Sequence, residues 1–480
     1  MQARPRTQTI VRPINVTTRP LLTVLLLLAS DLGALVLAGG LSVGVRFLWD
    51  GSFNPALYVS LWPVIGLFVL AYALMGLYPG IGKAPAEELR QLTLTTTLVY
   101  LVLGAAAFLF KVGDTYSRAT FLGAWALSVV LVPLSRALTR HLFAHRKWWG
   151  YPAVVLGAGE TGRMVVQMLK RQPGLGLKPV AVLDDDPEKQ GVMEGVPVPG
   201  GLDMAPALAR ELRVRHAIVA MPGVPRAKLL EILEQHGRAF PHLVLIPDLF
   251  GFSSLWVTTK DLGGILGLEV RQQLLLPGPR LAKRIIDVGL SLIGGLLLLP
   301  FLALIAILIK LDSPGPVLYG HTRIGHNGQR FKAWKFRSMV KDADEVLKEY
   351  LEKHPELREE WERDQKLRSD PRVTRIGRIL RQTSLDELPQ LWNVLRGEMS
   401  LVGPRPIVQD EVIKYGEKFA LYIKVKPGMT GLWQVSGRND TTYQERVNLD
   451  TYYIRNWSLW LDLYILARTV WVVLTRKGAY

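Results

Sequence analysis

The sequence predicts a membrane α-helical bundle of four spans over 1–147 and a Rossmann-like α/β domain over 148–270. An α/β domain over 275–480 follows, carrying a re-entrant membrane helix at 285–309. Three observations support this division. Four apolar segments, near 20–48, 57–78, 92–111 and 119–139, each reach the roughly 20 residues that cross a hydrocarbon core of about 30 Å. A glycine-rich turn then separates a strand-like run from a helix-like one. Further on, 25 mostly apolar residues, Ile285–Ile309, contain a proline past their middle.

Bulk properties agree with this reading. The 480 residues leave room for about three domains, and 49% of them are hydrophobic, as in membrane proteins. The chain has no cysteine, which excludes disulfides and thiolate-bound zinc or iron–sulfur clusters but leaves the compartment open. A formal charge of +17 calls for a partner of opposite sign: nucleic acid, anionic lipid or a phosphorylated substrate. The cations lie at membrane flanks and at isolated motif positions and form no continuous basic helix. Membrane lipid and phosphate therefore fit, and no nucleic acid is expected.

Residues 1–19 carry Arg4, Arg6, Arg12 and Arg19 and no acid. The apolar run behind them is too long for a signal peptide and lacks a cleavage site. The N-terminal arginines, Lys83, Arg90, Arg136, Arg140, Arg146 and Lys147 lie on one side of the spans, against Arg46, Lys111 and Arg118 on the other. The positive-inside rule then places the N-terminus and everything after residue 140 in the cytoplasm, in a multi-pass topology. Asp31 sits within the first span, where a carboxylate costs about 3 kcal/mol. Its neighbour Ser30 suggests a hydrogen-bonded helix contact, with a functional role as the alternative.

In the second part, Ala153–Leu156 reads as a buried strand, and Gly157–Gly162 forms a G-x-G-x-x-G turn into a helix. Val180–Leu183 ends at Asp184-Asp185-Asp186, about 20 residues beyond the glycines, where a dinucleotide-binding fold holds the ribose. Two more strands are expected at Ala217–Ala220 and Leu243–Ile246. Glycines at such a turn also serve plain close packing. No cofactor is assigned to this domain, and a bound nucleotide is the alternative. The domain also offers a surface for a homodimer.

At 1.5 Å per residue, Ile285–Ile309 is long enough to span a membrane. Pro300 removes a helix hydrogen bond and kinks the axis, while Arg280, Lys283, Arg284 and Lys310 put cations at both ends. These features suit a helix that enters one leaflet, breaks and returns; an ordinary fifth span is the alternative. The charge-rich segment 340–370 reads as a solvated helix pair with i,i+4 ion pairs, broken at Pro355, or else as a lid. Leu459–Leu474, with Arg476 and Lys477 behind it, fits a helix in the membrane interface or one packed on the domain.

The chemistry centres on Arg381–Pro406, RQTSLDELPQLWNVLRGEMSLVGPRP. Ser384 and Glu387 have capping-box spacing, and a helix N-terminus favours phosphate through its free N–H groups and dipole. Asp386 and Glu387 alone could simply decorate a first turn. Arg381, Arg405 and the rigid Pro-Arg-Pro unit point instead to a site.

This stretch resembles the signature of the bacterial monotopic phosphoglycosyl transferases, of the undecaprenyl-phosphate galactose phosphotransferase branch. Other residues carry the likeness too: Lys283-Arg284 with Asp287, Lys335–Met339, the run Lys426–Arg438, and Asp450. The resemblance implies a catalytic domain that moves a hexose-1-phosphate, galactose before glucose, from a UDP-sugar to undecaprenyl phosphate and releases UMP. It implies Asp386 as the nucleophile and Glu387 as the residue that holds Mg²⁺. Arg381, Arg405, Lys335, Arg337, Arg438 and Asp450 would bind substrate, and Gly431 would lie in a loop touching the nucleotide. It also implies a re-entrant helix in a bacterial inner membrane, although the family's serine before the proline is Leu299 here.

Two other readings are weaker. A membrane-bound nucleotide-sugar oxidoreductase or dehydratase needs a Tyr-x-x-x-Lys pair on a helix of the glycine-motif domain. The match at Tyr422–Lys426 lies far downstream and runs into Pro427-Gly428. A scaffold or sensor that has lost activity would not be expected to keep the acidic pair and both arginines.

Overall fold

In the computed structural model the N-terminal apolar segments become helices α1 (Pro20–Trp49), α2 (Trp62–Leu74), α3 (Pro85–Leu109) and α4 (Arg118–Phe143). The structure describes residues 16–49, 54–113, 115–235, 239–247, 257–261, 266–270, 274, 276–354, 358, 370–436 and 442–475. The chain divides into two units, Met1–Leu249 and Phe250–Tyr480. Arg4, Arg6, Arg12, Arg438, Arg476, Lys477 and most of the charged segment after His354 lie outside the described residues.

By length and composition, α1, α3 and α4 can each cross a membrane. The second expected span does not form one helix. Pro63 has no N–H to donate to residue 59, so the chain turns at residues 60–61 and restarts as α2. With 13 residues α2 is about 20 Å long, short of a hydrocarbon core of about 30 Å.

The bundle is joined by buried charge. Asp31 is fully buried, and its partner is Arg136 of α4 rather than a neighbour on its own helix. The guanidinium approaches both carboxylate oxygens, at 2.6 and 2.8 Å, and also donates to the Leu77 carbonyl and to Glu88 at 3.1 Å. Arg140 reaches Glu88 at 2.7 Å, and the Tyr78 hydroxyl donates to Asp31. Each charge that is costly in an apolar setting therefore meets its opposite.

Beyond the bundle come β1 (Tyr151–Leu156), α5 (Glu160–Arg171), β2 (Leu177–Leu183), the hairpin β3 (Gly191–Met193) and β4 (Val196–Val198), α6 (Ala205–Glu211), β5 (His216–Val219), α7 (Arg226–Gln235) and β6 (His242–Leu245). A parallel sheet in the order β2-β1-β5-β6 forms the α/β domain, and its strands lie at the four expected places. Val154, Val155, Leu156, Ala181, Leu183 and Val219 are fully buried, as expected of strands covered on both faces.

The second unit begins with the antiparallel pair β7 (Val257–Asp261) and β8 (Leu266–Val270), then α8 (Pro277–Asp312), a single helix of 36 residues that contains Pro300. α8 is the fourth helix long and apolar enough to cross a membrane. Next come the hairpin β9 (Leu318–Ile324) and β10 (Arg330–Phe336), α9 (Ala343–Lys353), α10 (Arg375–Thr383) and α11 (Gln390–Arg396). The parallel strands β11 (Ser400–Val402) and β12 (Gly428–Thr430), α12 (Leu432–Ser436), α13 (Tyr443–Asn456) and α14 (Leu459–Thr475) complete the unit. α14 packs on the domain: its buried Asp462 accepts from Lys283 at 2.7 Å, from Tyr453 at 2.8 Å and from Trp457 at 2.9 Å.

Removing one member of the bundle's ion pair leaves the other charge buried. Asp31→Ala is expected to cost about 3 kcal/mol or more, read as a lowered melting temperature in detergent, and the apolar pair Asp31→Leu with Arg136→Met to recover most of it. Melting of Asp31→Ala at the parent temperature would remove the network from the account of stability.

Candidate active site

The acidic pair is carried on a tight connection, not at the start of a long helix. α10 ends at Thr383, and Ser384 takes a left-handed conformation, with φ +57°. Leu385–Glu387 form a single 3-10 turn before α11. The expected capping box is absent: Ser384 makes no side-chain cap, and the Glu387 carboxylate turns to Lys335. The left-handed residue reverses the chain and sets the two carboxylates facing β10.

Lys335, next to the end of β10, donates to Glu387 Oε1 at 2.6 Å and to Asp386 Oδ2 at 3.4 Å. Asp386 is buried, whereas the Glu387 side chain stays about one-third exposed. Burial pushes the Asp386 carboxyl above its usual range; the Lys335 ammonium opposes this and the Glu387 charge adds to it. Arg381, a turn upstream, donates from Nε to Ser338 Oγ at 2.9 Å, and its charge also steadies the Asp386 anion. One carboxylate is thus dry and held by cations, and its neighbour can reach solvent.

Among the described residues no group of three or more His, Asp or Glu could by itself hold a metal. Of the pair it is Glu387, with its side chain about one-third exposed, that stays open to a cation such as Mg²⁺, which commonly takes one or two carboxylates and completes its shell with phosphate oxygens and water.

Arg337 is placed differently from a substrate ligand. Its Nη atoms donate to the Pro314 carbonyl at 2.8 Å and to the Ser313 carbonyl at 2.7 Å, so it ties the loop after α8 to β10. The approach is close enough that a Cβ on Gly315 would lie 2.0 Å from Nη1. Gly431 is likewise a packing glycine, since a Cβ there would stand 2.4 Å from the Gly403 carbonyl oxygen. Gly428 donates to the Pro404 carbonyl at 2.8 Å, which braces the Pro-Arg-Pro unit against β12.

Arg405 and Asp450 belong to a second cluster beside the pair. The Arg405 guanidinium lies 5.5 Å from the centre of the Trp433 ring, and that of Arg446 lies 4.7 Å from it and 5.1 Å from the Tyr443 ring. Asp450, one helical turn after Arg446 on α13, accepts from the Tyr415 hydroxyl at 2.7 Å. Among the described residues Arg446 Nε and Nη2, Trp433 Nε1, Tyr443 Oη and Asp450 Oδ1 are buried without a hydrogen-bond partner. Arg323 on β9 connects the clusters, being close enough to feel the charges of Arg405, Glu411, Arg446 and Glu387. The sequence reading missed Arg323 and Arg446. The i,i+4 spacing of Arg446 and Asp450 was the available signal for one; Arg323 carried none, because its strand is set beside the site by the fold. Arg438 lies outside the described residues.

A buried carboxylate beside Lys335 and Arg381, on a domain that also bears a long exposed apolar helix, is compatible with a membrane-associated group-transfer enzyme. Residues 278–476 match the family described as bacterial sugar transferase, and residues 73–247 match one described as a CoA-binding domain. The chain is 40% identical to a UDP-galactose-lipid carrier transferase of Erwinia amylovora over 76% of each chain. It is 38% identical to an undecaprenyl-phosphate galactose phosphotransferase of Salmonella typhimurium, over 80% of this chain and 81% of that one. A UDP-glucose:undecaprenyl-phosphate glucose-1-phosphate transferase of Escherichia coli is 36% identical over 68% of each chain. The protein belongs to the bacterial sugar transferase family.

Burial pushes the Asp450 carboxyl up to about 7, against the bond from Tyr415 and the Arg446 charge. The folded state thus keeps a proton that the unfolded chain releases near pH 4, so this residue's contribution to stability falls as pH rises from about 4 to 7. Asp450→Asn is expected to flatten that loss when melting is followed against pH in detergent. Parallel curves for variant and parent would contradict it.

Proposed function

We propose that the protein transfers a hexose-1-phosphate, galactose-1-phosphate in the first instance, from a UDP-sugar to undecaprenyl phosphate with release of UMP. The observation that carries this reading is the buried Asp386 beside Lys335 and the more exposed Glu387. The relatives named for galactose transfer to a lipid carrier support the donor. Glucose-1-phosphate is the second reading, because the Escherichia coli relative is named for it.

The donor's diphosphate and the acceptor's phosphate are both anionic, so direct attack of one on the other is opposed by charge. A carboxylate nucleophile divides the transfer in two. In the first step an Asp386 oxygen forms a bond to the β-phosphorus while the bond to the bridging oxygen breaks, and UMP leaves with that electron pair. In the second step a phosphate oxygen of undecaprenyl phosphate attacks the same phosphorus and Asp386 departs as a carboxylate. Lys335 and Arg381 favour the Asp386 anion before attack and offset charge on the phosphoryl oxygens afterwards. Glu387 would hold Mg²⁺, which supplies further neutralisation of phosphate charge when bound. Arg405, Arg446 and Arg323 offer guanidinium groups to the rest of the donor.

The acceptor is a membrane lipid, and α8 is the element suited to meet it. At its start, Arg284 donates to the Leu395 carbonyl at 2.8 Å, and Asp287 accepts from Ser400 at 2.7 Å. At its end, Ile305 and Ile309 pack with Phe336 and Leu380, and Asp312 accepts from the Ile376 amide at 3.0 Å. Between these anchors Leu292, Ile293, Leu296, Leu297 and Leu299 are exposed. Attachment of both ends to one body, with an apolar middle around Pro300, supports a helix that dips into the leaflet and returns. We place the catalytic domain on the cytoplasmic side of the bacterial inner membrane, where UDP-sugars are made, at the first membrane step of surface polysaccharide synthesis.

Two experiments test this. Incubated with UDP-galactose alone, the parent is expected to release UMP and carry a sugar-phosphate mass adduct on the Asp386 peptide; Asp386→Asn is expected to do neither, and full UMP release by that variant would end the covalent mechanism. Because the chain has no cysteine, Gly278→Cys and Lys310→Cys can be labelled singly. Both are expected to react with an impermeant maleimide only once the cytoplasmic face is opened, whereas labelling from opposite faces would make α8 a span.

A further inference from the structure

The strands of the α/β domain are parallel, so all of them start on one edge of the sheet. That edge lies against the helical bundle. Gly150, immediately before β1, donates to Thr23 Oγ1 of α1 at 2.9 Å, and Gly82 donates at 2.8 Å to the Leu175 carbonyl, two residues before β2. Trp149 is fully buried against Leu27 of α1. The strand starts therefore sit where α1 and α4, both long and apolar enough to cross a membrane, leave it.

β5 and β6 carry this edge outward from β1. Ala153 of β1 pairs with His216 of β5, and His216 with His242 of β6. The Tyr151 and His216 rings lie 5.4 Å apart, and the His216 and His242 rings stack at 4.7 Å. Beside these strand starts opens a crevice of about 550 Å³, lined by Arg210, Arg213 and Arg215 together with Gln235, Val214 and Pro241. No acid lines it.

The three arginines are exposed, and among the described residues none of them is paired with an acid. Arg210 Nε donates only to the Pro206 carbonyl of its own helix, at 3.3 Å. The end of α6 does not need the guanidinium groups as caps, because the amides of Val214 and Arg213 take the Ala209 and Arg210 carbonyls at 3.1 and 3.4 Å. Arg213 moreover holds a left-handed φ of +51°, where glycine is the ordinary choice. Burial, the neighbouring His242 and the Arg215 charge push the His216 ring down to about 4, with no acid opposing them.

We propose that this crevice holds the phosphate of an anionic phospholipid, with the guanidinium groups on its oxygens and Val214 and Pro241 against its glycerol. The place of the crevice on the edge beside the bundle favours a lipid over a free anion, since cations at a leaflet surface attract acidic headgroups. The lipid fastens the β5–β6 side of the sheet to the leaflet, as the bundle fastens the β1–β2 side. The site is independent of the sugar-transfer reading, because every residue named lies in the bundle or the α/β domain.

Hydrogen exchange of the full chain, read by mass spectrometry in nanodiscs of phosphatidylcholine with or without phosphatidylglycerol, tests it. Phosphatidylglycerol is expected to slow exchange severalfold across 209–216, and inorganic phosphate added to phosphatidylcholine discs to leave it unchanged. Protection should be lost in the double variant Arg213→Gln with Arg215→Gln, and weakened in Arg210→Gln. Exchange across 151–183 in phosphatidylcholine checks that each variant remains folded. Equal exchange in the two kinds of disc, protection by inorganic phosphate alone, or full protection in every folded variant would overturn the proposal.

Discussion

The second unit is organised around one ammonium group shared by two adjacent carboxylates. Lys335 reaches Glu387 at 2.6 Å and Asp386 at 3.4 Å from the neighbouring hairpin. Burial and the second acid push the Asp386 carboxyl up, and the Lys335 charge opposes them. The left-handed Ser384, the single 3-10 turn and the packing of Leu385 and Leu388 into the core beneath all serve to keep that triangle in place.

The same core joins the carboxylate pair to the long apolar helix. Phe336, next to Lys335 on β10, packs with Ile305 and Ile309 of α8 and with Leu380 of α10. The end of the apolar helix and the strand bearing the lysine therefore share one hydrophobic cluster. Arg337 adds a polar brace to the same joint. Buried charges fix the other end of α8, where Lys283, Asp287 and Asp462 meet.

Much of this was legible. Hydrophobic length located α1, α3, α4 and α8, and short apolar runs located the four strands of the parallel sheet. That Asp386, Glu387 and Arg381 lie near one another could be read from their closeness in sequence. Arg337 and Gly431 meet neighbouring backbone, which motif position does not tell. Pro63 divided a segment that hydropathy alone had read as continuous.

The sequence by itself determined which segments are apolar, where glycine and proline interrupt them, and which acids and bases stand near one another along the chain, since these are local properties. Tertiary structure alone decided the partnerships across distance. Asp31 meets Arg136 across 105 residues, Lys335 meets Glu387 across 52, and Arg323 comes to lie between two clusters. Charge pairing of that kind depends on burial and on which faces the packing turns inward, and neither exists until the helices and strands have assembled.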